Sequence, residues 1–177
     1  MRKSAMAVLG VLVSVCCLLA TVSARAADRG TSELALKGKT ISVEYGRPAL
    51  NGRSTDALLG QLEPGALWRL GANKSTTFKT DVDLSFGGVT VPAGEYSIWM
   101  QREADKSWKL LFDKNHGQWG SPAPPASEAF ASVPMQTETA SKPVEQVTLT
   151  LRRAGGQGGM LVVEWGTLKA TASFTAK

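Results

Sequence analysis

Two arginine-bearing stretches hold the residues best suited to chemistry. In PGALWRLGANKSTTF, residues 64–78, Trp68, Arg69, Asn73 and Lys74 fall within seven positions of one another. Upstream, Tyr45-Gly46-Arg47-Pro48 and Asn51-Gly52-Arg53 add two more arginines, each next to a turn-forming glycine. A guanidinium is a planar fork of donors, suited to carboxylate, phosphate or sugar hydroxyls. An indole face suits a sugar ring or a cation. If these turns gather at one end of the molecule, Arg47, Arg53 and Arg69 converge on a ligand. Trp68, Asn73 and Trp119 would stand beside them. The competing expectation is structural. Arg69 would then pair with an internal carboxylate such as Glu44 or Glu95, Asn73 would serve a left-handed turn, and Trp68 would be core.

Other chemistries find less support. His116 is the sole histidine, with Asp113 before it and Ser121 after it. A triad needs a base hydrogen-bonded to both partners, which spacing alone does not supply. No Gly-x-Ser-x-Gly elbow is present. Asp81 and Asp83 alternate onto one face of a strand, a pattern that solvation explains, with calcium as the other possibility. Paired carboxylates for glycoside hydrolysis would have to flank one bond, about 5 to 9 Å apart. The run GGQGG, residues 155–159, joins two strands and precedes no helix, so it lacks the context of a dinucleotide site. No catalytic residue, metal ligand or cofactor is therefore assigned.

The amino terminus carries a targeting pattern. Arg2 and Lys3 precede an apolar stretch, and Ala24-Arg25-Ala26 matches an A-x-A cleavage site. This predicts a signal peptide over 1–26 and one domain over 27–177, exported to the periplasm or beyond, with no membrane span after cleavage. The correction matters for charge. The chain has 20 basic and 15 acidic residues. Arg2, Lys3 and Arg25 leave with the signal, so 20 less 3 gives 17 against 15, a net +2. A nearly neutral domain argues against a nucleic-acid partner. Both cysteines, Cys16 and Cys17, leave as well, which excludes a disulfide, a thiolate nucleophile and a cysteine-ligated metal from the mature chain.

The elements that must position these residues are strands. Ile41, Val43 and Tyr45 alternate with polar neighbours, the period of a half-buried strand. TTFKTDVDLSF continues the pattern with Phe78, Val82, Leu84 and Phe86 on one face. Gly87-Gly88 then reads as a hairpin turn. Further strands fall at 89–91, 95–101 and 107–114, with Tyr96, Ile98 and Met100 inward. Trp99 points the opposite way, toward a covered second side or solvent. Val147, Leu149 and Leu151 oppose Leu161, Val163 and Trp165 across the glycine-rich turn, and Trp108 and Trp165 take the core register. Ser54 or Thr55 caps one short helical turn that Pro64-Gly65 would stop. Residues 121–127 read as an exposed proline-rich connection, and 130–137 as an edge strand around Pro134. Seven or more short strands between turn signals predict an all-β fold, an antiparallel β-sandwich or jelly-roll-like barrel.

The stretches ISVEYGRPALNGR, PGALWRLGANKSTTF, VPAGEYSIW, GQWG and KPVEQVTL occur in an order that resembles a bacterial family, domain of unknown function 2911 (DUF2911). The resemblance covers about residues 38 to 166. Its most specific pieces are Trp68-Arg69-x-Gly71-Ala72-Asn73 and Tyr45-Gly46-Arg47-Pro48, while Lys74 stands where the pattern leads one to expect an acid. Members carry export signals, so the resemblance implies a fold and a compartment rather than a reaction. The expectation is an exported, non-catalytic binding domain for a glycan or small anionic molecule. The alternatives are a hydrolase or other enzyme acting on envelope glycans, and an interaction module pairing through the edge strand at 130–137.

Overall fold

Antiparallel strands make up 59% of the computed structural model, which describes residues 28–177. The expected signal peptide, 1–26, lies outside the described residues. In chain order the elements are β1 (Arg29–Leu36), β2 (Lys39–Gly46), α1 (Thr55–Leu59), β3 (Leu67–Trp68), β4 (Thr76–Thr80), β5 (Leu84–Phe86), β6 (Val89–Val91), β7 (Gly94–Arg102), β8 (Trp108–Asp113), β9 (Ala131–Arg153) and β10 (Gly158–Ala176). Among the described residues a single 3-10 turn lies at Ala126–Glu128.

The strands pair in the order β1-β2-β4-β7-β8-β9-β10-β5-β6, with β3 added to β7. The long strands β9 and β10 carry this path from one layer of the sandwich to the other. Residues 131–135 of β9 pair with β8, and residues 136–153 pair with β10, which reaches β5 at its far end. The layers meet through aromatic rings. Phe86 of β5 lies 6.5 Å from Phe78 of β4 and 5.2 Å from Phe112 of β8, centroid to centroid. Each such side chain contributes roughly 1.5–3 kcal/mol by leaving water. The sheet stays open, with β1 and β6 at its edges, so a closed barrel is not formed.

Three expectations need correction. The run 76–86 is not one strand. β4 ends at Thr80, whose hydroxyl donates to Val82 O at 2.6 Å, and the chain turns before β5 enters the other layer. Phe78, Leu84 and Phe86 still share the core because the layers face each other. The segment 130–137 is not a separate short strand but the start of the long β9, an edge only over residues 131–135, which pair with β8 alone. Pro134 is tolerated because it pairs with Lys109 of β8 at a point where β10 has not yet joined. The helix stops at Gly60, before Pro64-Gly65. Ser54 is its cap, its Oγ accepting from Ala57 N at 3.1 Å.

Trp99 faces a covered second side of the sheet. It is 1% exposed, and the loop after β8 folds over that face. Ser97 Oγ ties the two together by donating to Asn115 O at 2.5 Å and accepting from Trp99 Nε1 at 3.4 Å. This explains why β7 is buried on both sides from Tyr96 to Met100, which alternation alone does not anticipate.

Candidate functional site

The two most specific sequence pieces pack directly on each other. A Cβ at Gly46 would collide with the backbone of Ala72, and one at Gly71 would lie 2.8 Å from Gly46 O. Both positions are glycine because two backbones meet there with no room between them. The loop that follows Trp68 is tightly wound. Leu70 holds φ 57° and Asn73 φ 65°, and Leu70 is fully buried with its carbonyl accepting from Thr76 Oγ1 at 3.1 Å. A leucine in that region is strained by roughly 1–3 kcal/mol and stays only where its burial enforces it.

The GQWG stretch closes the junction from a third side. Gly120 N donates to Asn73 O at 2.9 Å and Ser75 N to Gln118 O at 3.0 Å. Arg69 Nη1 donates to Gly120 O at 3.1 Å. No Cβ fits at Gly120, since it would sit 2.6 Å from Arg69 Cδ. Arg69 is thus aimed by the fold, with Nε and Nη2 left for other partners.

Arg53 is aimed in a similar way by the Asn51-Gly52 turn, where both residues have positive φ. Its Nε donates to Leu50 O at 2.9 Å and its Nη2 to Ala49 O at 3.5 Å. Opposite it, α1 is pinned to β10. Thr55 Oγ1 donates to Trp165 O at 3.0 Å and accepts from Thr167 N at 3.3 Å. Gly166 lies between these partners at φ 54°, and any Cβ there would overlap Thr55 Oγ1.

These anchors enclose a cleft of about 400 Å³. Arg53 and Arg69 stand on its rim, and Trp68, Trp99 and Trp165 form its wall together with leucines from the α1 segment. Trp68 stacks on Trp165 at 5.6 Å and 13°, joining the two layers at the cleft. The Trp165 indole N–H is buried without a hydrogen-bond partner. No aspartate or glutamate lines the cleft. Among the described residues, neither Arg53 nor Arg69 has an ion-pair partner.

Of the six residues singled out from sequence, Arg53, Trp68 and Arg69 are brought together and the other three are not. Arg47 turns away, 3.6 Å from Asp28, with its backbone N–H donating to Asp28 O. Asn73 contributes its left-handed turn and its carbonyl. Trp119 is 59% exposed in the loop, bridged to Lys74 and outside the cleft. The proposed carboxylate partners of Arg69 are engaged elsewhere, Glu44 with Arg29 and Glu95 with His116 Nδ1 at 3.2 Å. That last pair gives the lone histidine a surface partner other than Asp113. Asp81 and Asp83 each accept from a different backbone N–H, Thr40 of β2 at 3.4 Å and Ala93 before β7 at 2.8 Å. Trp165 and Trp99 escaped sequence reasoning as cleft walls because their strand register marks them only as inward or outward. Gly166, interrupting an inward run beside Trp165, is the local signal that could have flagged the site.

Among the described residues, no group of three or more His, Cys, Asp or Glu side chains is placed to hold a metal, and no helix is long and apolar enough to cross a membrane. Fold and cleft together define an antiparallel β-sandwich protein with a cationic, tryptophan-walled cleft. The chain belongs to the family described as protein of unknown function (DUF2911), whose model matches residues 28–174. That match extends beyond the resembling core at both ends and takes in β1. No curated protein and no solved structure matches the chain.

Proposed function

We propose that this is an exported binding domain whose cleft takes a small anionic molecule. One observation carries the reading: two arginines, each held by backbone carbonyls, share a cleft with no acidic lining residue and no ionic partner of their own. Arg69 is half-buried there and Arg53 exposed, neither with an ionic partner, so an anion gains both charge and directed hydrogen bonds. The three wall tryptophans are at most 8% exposed. They shape the cleft but offer no open platform, which disfavours a glycan stacked on an indole. Export is supported by the charged, apolar and A-x-A segments over 1–26.

The test is anion-dependent thermal stabilisation with inorganic phosphate and acetate as probes. The native protein should gain melting temperature with either anion, and Arg53→Ala and Arg69→Ala should lose that gain while keeping their fold. A response that survives in the Arg53→Ala/Arg69→Ala double variant places the anion elsewhere and overturns the reading.

A further inference from the structure

Resting on that reading of the cleft, we propose that its ligand is amphiphilic, an alkyl or aryl carboxylate with a single acidic group. Positive charge in the lining comes only from Arg53 and Arg69, and most of its other side chains are apolar, with Leu58, Leu62 and Leu67 half-buried in front of Trp68, Trp99 and Trp165. A polyhydroxylated ligand needs acceptors as well as donors. The only lining side chain with an uncharged acceptor oxygen is Ser121, so the hydroxyls of a sugar would find few side-chain acceptors there. A body of carbon and hydrogen needs no such acceptors and gains by covering the half-buried leucines. The cleft of about 400 Å³ holds roughly a dozen non-hydrogen atoms at the roughly 30 Å³ that a water occupies in the liquid. That suits one ring system or a chain of medium length, and is too small for a two-tailed lipid.

The guanidiniums fit this ligand. Each has spent one or two N–H groups on backbone carbonyls, which fixes its direction, and keeps others free. A carboxylate bridging Arg53 and Arg69 would use those free donors, while its apolar body lies along the half-buried Leu58, Leu62 and Leu67, with the buried tryptophans behind them.

The experiment is a titration of the purified protein, read by tryptophan fluorescence and by calorimetry, with octanoate, octanol, acetate and inorganic phosphate. Octanoate should bind at least tenfold more tightly than acetate and at least tenfold more tightly than octanol. Arg53→Ala should weaken octanoate at least fivefold and leave octanol unchanged. Arg53 is exposed, so this variant keeps the test valid even if Arg69→Ala unfolds. If acetate or phosphate binds as tightly as octanoate, the amphiphile inference falls while the anion site stands. If octanol matches octanoate and Arg53→Ala changes neither, both the inference and the anion reading fall. Absence of binding by any of the four likewise overturns both.

Discussion

A second cleft of nearly the same size lies on the other side of α1, about 350 Å³ against about 400 Å³. The two share Leu59 and differ in charge. The second cleft sets Asp56 and Glu138 against Arg102 and Lys106, so its lining carries two acids and two bases. Arg102 Nη1 donates to Leu59 O at 2.7 Å, and Lys169 Nζ lies 2.6 Å from Glu138 Oε1. The tryptophan-walled cleft has two cations and no acid. Volume therefore does not separate a site from a surface groove in this molecule. Whether the cleft's charges are compensated from within does, because an uncompensated, partly desolvated cation is the one that gains most from an incoming anion.

The sharpest way to break the comparison is at the element both clefts share. Gly166→Ala should remove Thr55 from β10 and impose a positive φ on alanine. We expect a loss of roughly 2–3 kcal/mol in denaturant unfolding, together with loss of anion binding. A variant with unchanged stability would show that α1 is not held there.

Removing charge should then affect the two clefts differently. Arg69→Ala should weaken a bound carboxylate by about 1.5–3 kcal/mol, roughly 10- to 150-fold, measured by calorimetry. Arg69→Lys should recover only part of this, since an ammonium lacks the planar fork. In the second cleft, Glu138→Gln should change anion affinity less than twofold and stability by no more than about 1 kcal/mol, the ordinary worth of an exposed ion pair. An effect on anion affinity as large as that of Arg69→Ala would erase the distinction between the clefts.

The smallest expected effect lies away from both. Burial, and secondarily the Asp83 carboxylate, push the Tyr96 phenol above its ordinary value. Above about pH 10 the unfolded chain releases this proton while the folded chain keeps it. The folded state then binds more protons, and stability falls as pH rises. Tyr96→Phe should flatten that alkaline slope in pH-dependent melting and leave ligand affinity unchanged. It also removes the hydrogen bond to Pro92 O at 2.9 Å, so some stability should be lost at neutral pH.

Much of the strand framework was legible because alternation is local. Both β2 and the C-terminal half of β9 show their buried face in their own residues. The break at 81–83 was not, since the run reads in phase through Val82 although the chain changes layer there. β1 went unread because only Leu36 of its eight residues is fully buried, and its partner β2 supplies most of its order. The site was half legible. Residue types drew attention to Arg53, Trp68 and Arg69, but the same types drew it equally to Arg47, Asn73 and Trp119.

What the sequence determined by itself is the antiparallel β character, the short capped helix, the turns at Asn51-Gly52 and Gly87-Gly88, and the family. All of these follow from periodicity or from residue chemistry within a few positions. Only the tertiary structure decided that Arg53 and Arg69 face one cleft while Arg47 turns to Asp28. It also decided that Trp165, more than ninety positions away, completes the wall behind Trp68. Side-chain neighbours across two layers depend on strand order and on backbone contacts such as Gly46 against Ala72, and no local pattern encodes those distances.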